Sequence, residues 1–304
     1  MTKTVTNFAA SVHARLLALN RQRNADFLRT LQRYVAERFL YRLGLSPYRD
    51  RFVLKGAMLF VLWDEVTARP TKDLDLAGYV ANDADAITRA FLEIASIPSP
   101  RDGLDFALGT LEVTPIRDLA EYHGFRMNLD VLLGRAVIPF QVDVGFGDVI
   151  VPAASEVFYP VLLDGEPPHV RAYPREAVVA EKFHAMAFHG AANSRYKDFF
   201  DVDRLSRRFA FEGATLVESI VATFSRRGSA DLASWPVALT TSFYIDPGRS
   251  EKWQRYFARM KLGESSADFA TIGSRVIAFL ESPVQAVTHG ERFAAHWIPG
   301  GPWQ

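Results

Sequence analysis

The stretch FVLKGAMLFVLWDEVTARPTKDLDL, Phe52 to Leu76, decides how the rest of the chain is read. A short apolar run breaks at Lys55-Gly56-Ala57, resumes as a helix-like apolar segment over Met58 to Trp63, and ends in a strand around Leu74 that carries Asp73 and Asp75. Strand side chains alternate with period two, so these two carboxylates point to one face. Neighbouring like charges repel by about several tenths of a kcal/mol unless something positive lies between them. Magnesium suits that role, because it takes oxygen ligands and is usually held by one or two carboxylates together with substrate phosphates.

Upstream, Phe8 to Leu43 places Leu16, Leu19, Phe27, Leu31, Tyr34, Val35 and Phe39 at helical spacing among arginines, which predicts two amphipathic helices broken near Asn20 to Asn24. Residues 1–55 hold eleven Lys and Arg against three Asp and Glu, a local +8 in a chain whose 35 basic and 35 acidic residues cancel. Zero net charge argues against a protein that simply coats nucleic acid, whereas a basic N-terminal segment can attract a polyanion. A solvated helix surface is the plain alternative.

Downstream, Ala84 to Ala95 reads as a helix, followed by strand-like runs over Leu104 to Thr114, Phe125 to Leu132 and Val137 to Phe146. In the last run Phe140, Val142, Val144 and Phe146 share one face, and Gln141, Asp143 and Gly145 share the other. Asp130 sits similarly on the neighbouring run, but Asp143 is preferred because it lies close to Gly145 and Gly147. Val151 to Pro174 reads as a Pro-rich loop. Beyond it, helices are expected over Glu176 to His189, with Lys182 beside the apolar face, and over Ser194 to Phe209, with Asp198 at the end of the apolar stripe and Asp201 and Asp203 exposed. The remainder, with Trp253 and Phe257 one turn apart, reads as further helical pieces, and nothing in the closing Gly and Pro residues signals order.

Three segments follow: a basic helical N-terminus (1–46), a core (47–160) and a helical C-terminal domain (161–304). Cysteine is absent, which removes disulfides and thiol chemistry and is compatible with a reducing cytoplasm. No leader and no apolar run of about 18 residues is present, so a cytoplasmic chain without a membrane span is expected.

A Gly turn, an Asp-x-Asp strand, a third strand carboxylate, an inward lysine and an inward aspartate together match the needs of metal-assisted phosphoryl or nucleotidyl transfer. Singly they are weak. An Asp-x-Asp is a turn or capping pair about twice as often as a metal site, a Gly-Ala turn is mostly a turn, and Lys182 alone reads as a snorkelling surface lysine.

The wording LKGA, RPTKDLDL, QVDVGFGD, AEKFHAM and RYKDFFDVDRL resembles the AbiEii/MenT nucleotidyltransferase toxins of the DNA polymerase β-like superfamily, over Tyr34 to Leu205. The resemblance implies an α+β fold, with a mixed-sheet nucleotidyltransferase core followed by a mainly helical C-terminal domain. By position it implies that Asp73, Asp75 and Asp143 bind Mg2+, or Mn2+ in its place, and that Gly56 and Ala57, with Lys55, form the phosphate-contacting turn. Arg69 and Thr71 would border the nucleotide, Lys182 would hold the triphosphate, and Asp198 would be the later essential acid with Lys197 beside it. Ala57 departs from the Ser or Gly common in the superfamily and so removes a hydroxyl. The implied activity is NMP transfer from NTP to RNA, at the tRNA acceptor end, by a toxin paired with an antitoxin. A protein or small-molecule acceptor, and a nucleotide-binding regulator without transfer activity, are the competing readings.

Overall fold

The computed structural model describes residues 7–23, 26–64, 71–99, 101–117, 123–228, 232, 234–260 and 267–304. The chain divides into two compact units, Met1–Gly147 with Ser155–Ala172, and Asp148–Ala154 with Tyr173–Gln304.

The first unit runs α1 (Phe8–Arg23), α2 (Phe27–Leu45), β1 (Phe52–Lys55), α3 (Met58–Trp63), β2 (Asp73–Gly78), α4 (Ala84–Ala95), β3 (Leu104–Phe106), β4 (Glu112–Arg117), β5 (His123–Leu133), β6 (Ala136–Phe146), β7 (Ser155–Phe158) and β8 (His169–Ala172). Among the described residues these strands form one mixed sheet in the order β3-β5-β6-β2-β1-β8-β7, with β4 also paired to β5. The β2–β6 and β1–β8 pairings are parallel. One face is apolar: Leu74 and Leu76 of β2 and Ile138, Phe140, Val142 and Val144 of β6 are all buried. It packs against α2 and α4, where Phe39 lies 5.2 Å from the Phe91 ring and 5.4 Å from the Phe140 ring. Emptying such a site, as in Phe39→Ala, costs about 3–5 kcal/mol. Both helices begin on an aspartate cap, Asp26 accepting from the Leu28 N–H at 2.9 Å and Asp83 from the Ala86 N–H at 2.7 Å. The opposite face of the sheet is left for polar side chains, as alternation requires.

Two expectations change here. The loop expected over Val151 to Pro174 contains β7 and β8, and β8 pairs with β1 as a neighbour in the main sheet. Each strand has only four residues, too few for alternation to stand out between prolines. The basic N-terminal segment is also partly interior. Arg38 and Arg42 are buried, Arg42 pairs with buried Asp102 at 2.8 Å, and Arg33 donates to fully buried Glu37 at 2.9 Å. Those charges are consumed within the fold, while Arg15 and Arg21 are exposed.

The second unit comprises α5 (Arg175–His189), α6 (Tyr196–Arg208), β9 (Phe211–Glu212), α7 (Gly213–Arg227), α8 (Thr241–Tyr244), α9 (Pro247–Met260), α10 (Phe269–His289) and β10 (His296–Trp297). Its core is aromatic: Trp253 stacks on Phe269 at 5.3 Å, and Tyr244 lies 4.9 Å from the same ring. Gly273 leaves space for the Tyr244 ring, since a Cβ there would sit 2.1 Å from it. The closing Gly and Pro residues are ordered. The Trp297 indole donates to the Ser206 carbonyl at 2.7 Å and the Trp303 indole to the Phe279 carbonyl at 2.9 Å. No described helix is long and apolar enough to cross a membrane.

Candidate active site

The polar face of the first unit carries a row of charge across four strands. Lys55 on β1 is the ladder partner of Asp75 on β2, Asp75 of Asp143 on β6, and Asp143 of Arg126 on β5. Asp73 lies two residues back along β2, opposite Gln141, which in turn lies opposite Asn128. Alternation along each strand and register between strands therefore bring Asp73, Asp75 and Asp143 to one face. Asp130 pairs with Pro139 further along β5, away from that row.

Gly56 follows β1 with φ of 71°, a backbone that L side chains rarely adopt. A Cβ at this position would lie 2.0 Å from Asp75 Oδ2. Glycine is thus required twice, by the turn and by the approach of the backbone to the carboxylate. Ala57 is buried at the start of α3, and Thr71 is half-buried with its hydroxyl donating to the Asp73 carbonyl at 3.3 Å. Arg69 lies outside the described residues.

Asp143 is held by a fork. Arg126 donates from Nε to Oδ1 at 2.9 Å and from Nη2 to Oδ2 at 2.7 Å, and Gln141 adds a bond to Oδ1 at 3.1 Å. The hydrogen bond to Asp143 raises the Arg126 pKa, and the charges of Asp143, Asp73 and Asp75 add to it. The guanidinium thus contacts Asp143 and feels the charge of Asp73 and Asp75. Among the described residues no three His, Cys, Asp or Glu side chains are grouped to hold a metal ion. Asp73 and Asp75 still form an all-oxygen donor pair beside the Gly56 cradle, and that donor chemistry fits a hard divalent cation.

In the second unit, α5 and α6 carry a different cluster. Lys182 Nζ lies 2.9 Å from Asp198 Oδ1 and 2.7 Å from Asp201 Oδ2, and Arg195 Nε lies 2.8 Å from Asp198 Oδ2. Burial pushes the Asp198 carboxyl up, but the charges of Lys182 and Arg195 hold it well below the usual carboxylate range. Lys182 and Asp198 are thus brought together, while Lys197 faces solvent between buried Tyr196 and Asp198. Asp201 and Asp203, expected at the surface, are fully buried. Asp201 meets Lys182, and Asp203 meets Arg207 at 3.1 Å and Arg275 at 3.4 Å. Helix α6 is packed on more than one side, so its polar face finds basic partners instead of water. Arg126 is not among the residues that the sequence singles out. Its one signal was period two, since it shares the polar side of β5 with Asn128 and Asp130.

Residues 38–275 match the family model described as nucleotidyl transferase AbiEii toxin, type IV toxin–antitoxin system. No curated protein matches the chain. Among solved structures, a presumed nucleotidyltransferase from Helicobacter pylori is 14% identical with a TM-score of 0.46, covering 84% of this chain and 94% of that one. JHP933 from the same organism is also 14% identical, with a TM-score of 0.45, covering 83% of this chain and 90% of that one. Both scores are too low to add to the argument, which rests on the match over most of the chain's length: the protein belongs to the AbiEii nucleotidyltransferase toxin family of type IV toxin–antitoxin systems.

Proposed function

We propose that this chain transfers a nucleoside monophosphate from an NTP to RNA, at the acceptor end of tRNA, with Mg2+ as cofactor, and that a cognate antitoxin binds and neutralises it. The observation that carries this reading is the shared row on the sheet, where Asp75 faces Asp143 across parallel strands, Asp73 lies on the same side, and Gly56 brings backbone against the Asp75 carboxylate.

In this reading Asp73 and Asp75 hold the cation, with Asp143 as the third acidic group. When bound, a divalent cation neutralises phosphate charge and acts as a Lewis acid. The backbone at Gly56 and Ala57 borders the phosphates, with Lys55, Arg69, Thr71 and Lys197 as further nucleotide contacts. Lys182 supplies a point charge for the triphosphate, and Asp198, 2.9 Å from its ammonium, orients that charge. An acceptor hydroxyl loses its proton to water as its oxygen bonds the α-phosphorus, the bond from that phosphorus to the oxygen bridging to the β-phosphate breaks, and pyrophosphate leaves.

The test is a panel of four labelled NTPs incubated separately with total tRNA, with cell protein and with the antitoxin, using Asp75→Ala as control. Label in tRNA that disappears with Asp75→Ala is expected. Label in protein alone would move the acceptor, and label unaffected by Asp75→Ala would remove the carboxylate row from the chemistry.

A further inference from the structure

The fork between Arg126 and Asp143 occupies the carboxylate that stands opposite Asp75. A guanidinium fork and a divalent cation compete for Asp143, because the fork occupies a lone pair on each carboxylate oxygen and places a positive charge where a cation bound to either oxygen would lie. The Arg126 side chain is 43% exposed and Asp143 only 19%, so the arginine can swing toward solvent while the aspartate stays in the sheet. Gln141 keeps Oδ1 hydrogen-bonded at 3.1 Å from within the same strand, which steadies Asp143 when its partner changes. Around the pair, Thr114 lies opposite Arg126 on β4 and is exposed, and no described acid on β4 or β5 other than Glu112 and Asp130 shares that face.

We propose that Arg126 is a positioning residue that acts as a built-in counter-cation: it holds Asp143 closed to the divalent cation, and it exchanges Asp143 for a nucleotide phosphate when cation and NTP arrive together. This rests on the metal-assisted reading above. It has two consequences. Cation affinity in the protein alone is weaker than three nearby carboxylates allow. Nucleotide strengthens cation binding, because phosphate draws the guanidinium away, and by reciprocity the cation strengthens nucleotide binding.

The experiment measures Mn2+ binding to the full-length protein by electron paramagnetic resonance, with and without an NTP analogue whose α,β-bridge is a methylene. Removing one partly exposed charge beside the site tightens Mn2+ binding to Arg126→Gln by about tenfold without nucleotide, and Arg126→Lys, which keeps charge but loses the fork, falls between. The tightening that nucleotide produces in the wild type shrinks in Arg126→Gln. Asp143→Asn alone weakens Mn2+ binding, because the released guanidinium stays beside Asp73 and Asp75 with its charge uncompensated, and combined with Arg126→Gln it cancels the gain. Unchanged or weaker Mn2+ binding in both arginine variants overturns the proposal. Asp75→Ala separates the two levels: if it binds Mn2+ like the wild type, the metal-assisted reading itself fails, whereas loss of binding there with no response at Arg126 sinks only the exchange. Circular dichroism melts of the cation-free proteins check that the variants remain folded.

Discussion

Asp75 and Asp143 in the first unit and Asp198 and Asp201 in the second are both met by basic side chains, yet the two clusters are built for different ends. On the sheet, Arg126 is 43% exposed over an aspartate that is 19% exposed. Between α5 and α6, Lys182 is 12% exposed and its two aspartates are 2% and 0% exposed. Charges that keep contact with water can trade partners at modest cost, whereas buried charges that lose a partner are left with a desolvation penalty nothing repays. The sheet cluster is suited to exchange, and the helix cluster ties two helices together whatever else it does.

The largest expected effect lies on the sheet. Asp75→Ala lowers nucleotidyl transfer by about a thousandfold, the scale of losing one preorganised charge-stabilising group. Its melting temperature stays near that of the wild type because the side chain is only half-buried. Equal loss of activity and of fold would erase the contrast between the clusters. Next, Lys182→Met leaves Asp198 and Asp201 buried without their shared cation and destabilises the protein by about 3–5 kcal/mol, read from urea unfolding. A stable but inactive Lys182→Met would instead give the lysine a purely catalytic role.

The two units also respond to pH in opposite directions. His184 in the second unit is pushed down to about 4, by burial first and then by the charge of Arg227. Its unfolded form takes up a proton near pH 6.5 while the folded form resists, so this stability is present above pH 6.5 and is lost as pH falls toward 4. Glu37 in the first unit is raised to about 7 by burial, against the lowering effect of Arg33 and the Leu162 N–H. The folded form therefore binds a proton more readily between 4.5 and 7, and stability from this group grows as pH falls through that window. Each is worth at most about 3.5 kcal/mol. His184→Leu should expose the Glu37 trend and Glu37→Gln the His184 trend. Parallel pH curves for both variants would show that neither residue governs acid behaviour.

The smallest effect is at the surface. Arg15 pairs with a fully exposed Asp164, so Arg15→Glu together with Arg21→Glu changes stability by less than about 0.5 kcal/mol. If RNA lies on these arginines, each lost phosphate contact lowers the salt slope of binding by about 1. Arg42→Glu instead sets two acids against each other in the core and unfolds the protein. An unchanged salt slope in the Arg15 and Arg21 variant moves the RNA elsewhere.

How much of this was legible beforehand divides along physical lines. Helices α3 and α4, the Asp-x-Asp strand and the polar side of β6 could be read because apolar periodicity is a local property of the chain. Strands β7 and β8 could not, since four-residue strands are recognisable only by the neighbours they pair with. Arg126 could not be read either, because its significance comes from the β5–β6 register, which places it opposite Asp143.

The sequence by itself determined that, on a strand, Asp73 and Asp75 share one face behind a glycine turn, because strand side chains alternate, and it carried the motifs of the family. Only the tertiary structure decided which charges find each other: that Arg126 grips Asp143, that Lys182 sits between Asp198 and Asp201, and that Arg38 and Arg42 turn inward. Those pairings join residues up to 128 positions apart, as between Arg38 and the Glu166 carbonyl, and they form only when folding closes the intervening chain and removes the water that would otherwise solvate each charge separately.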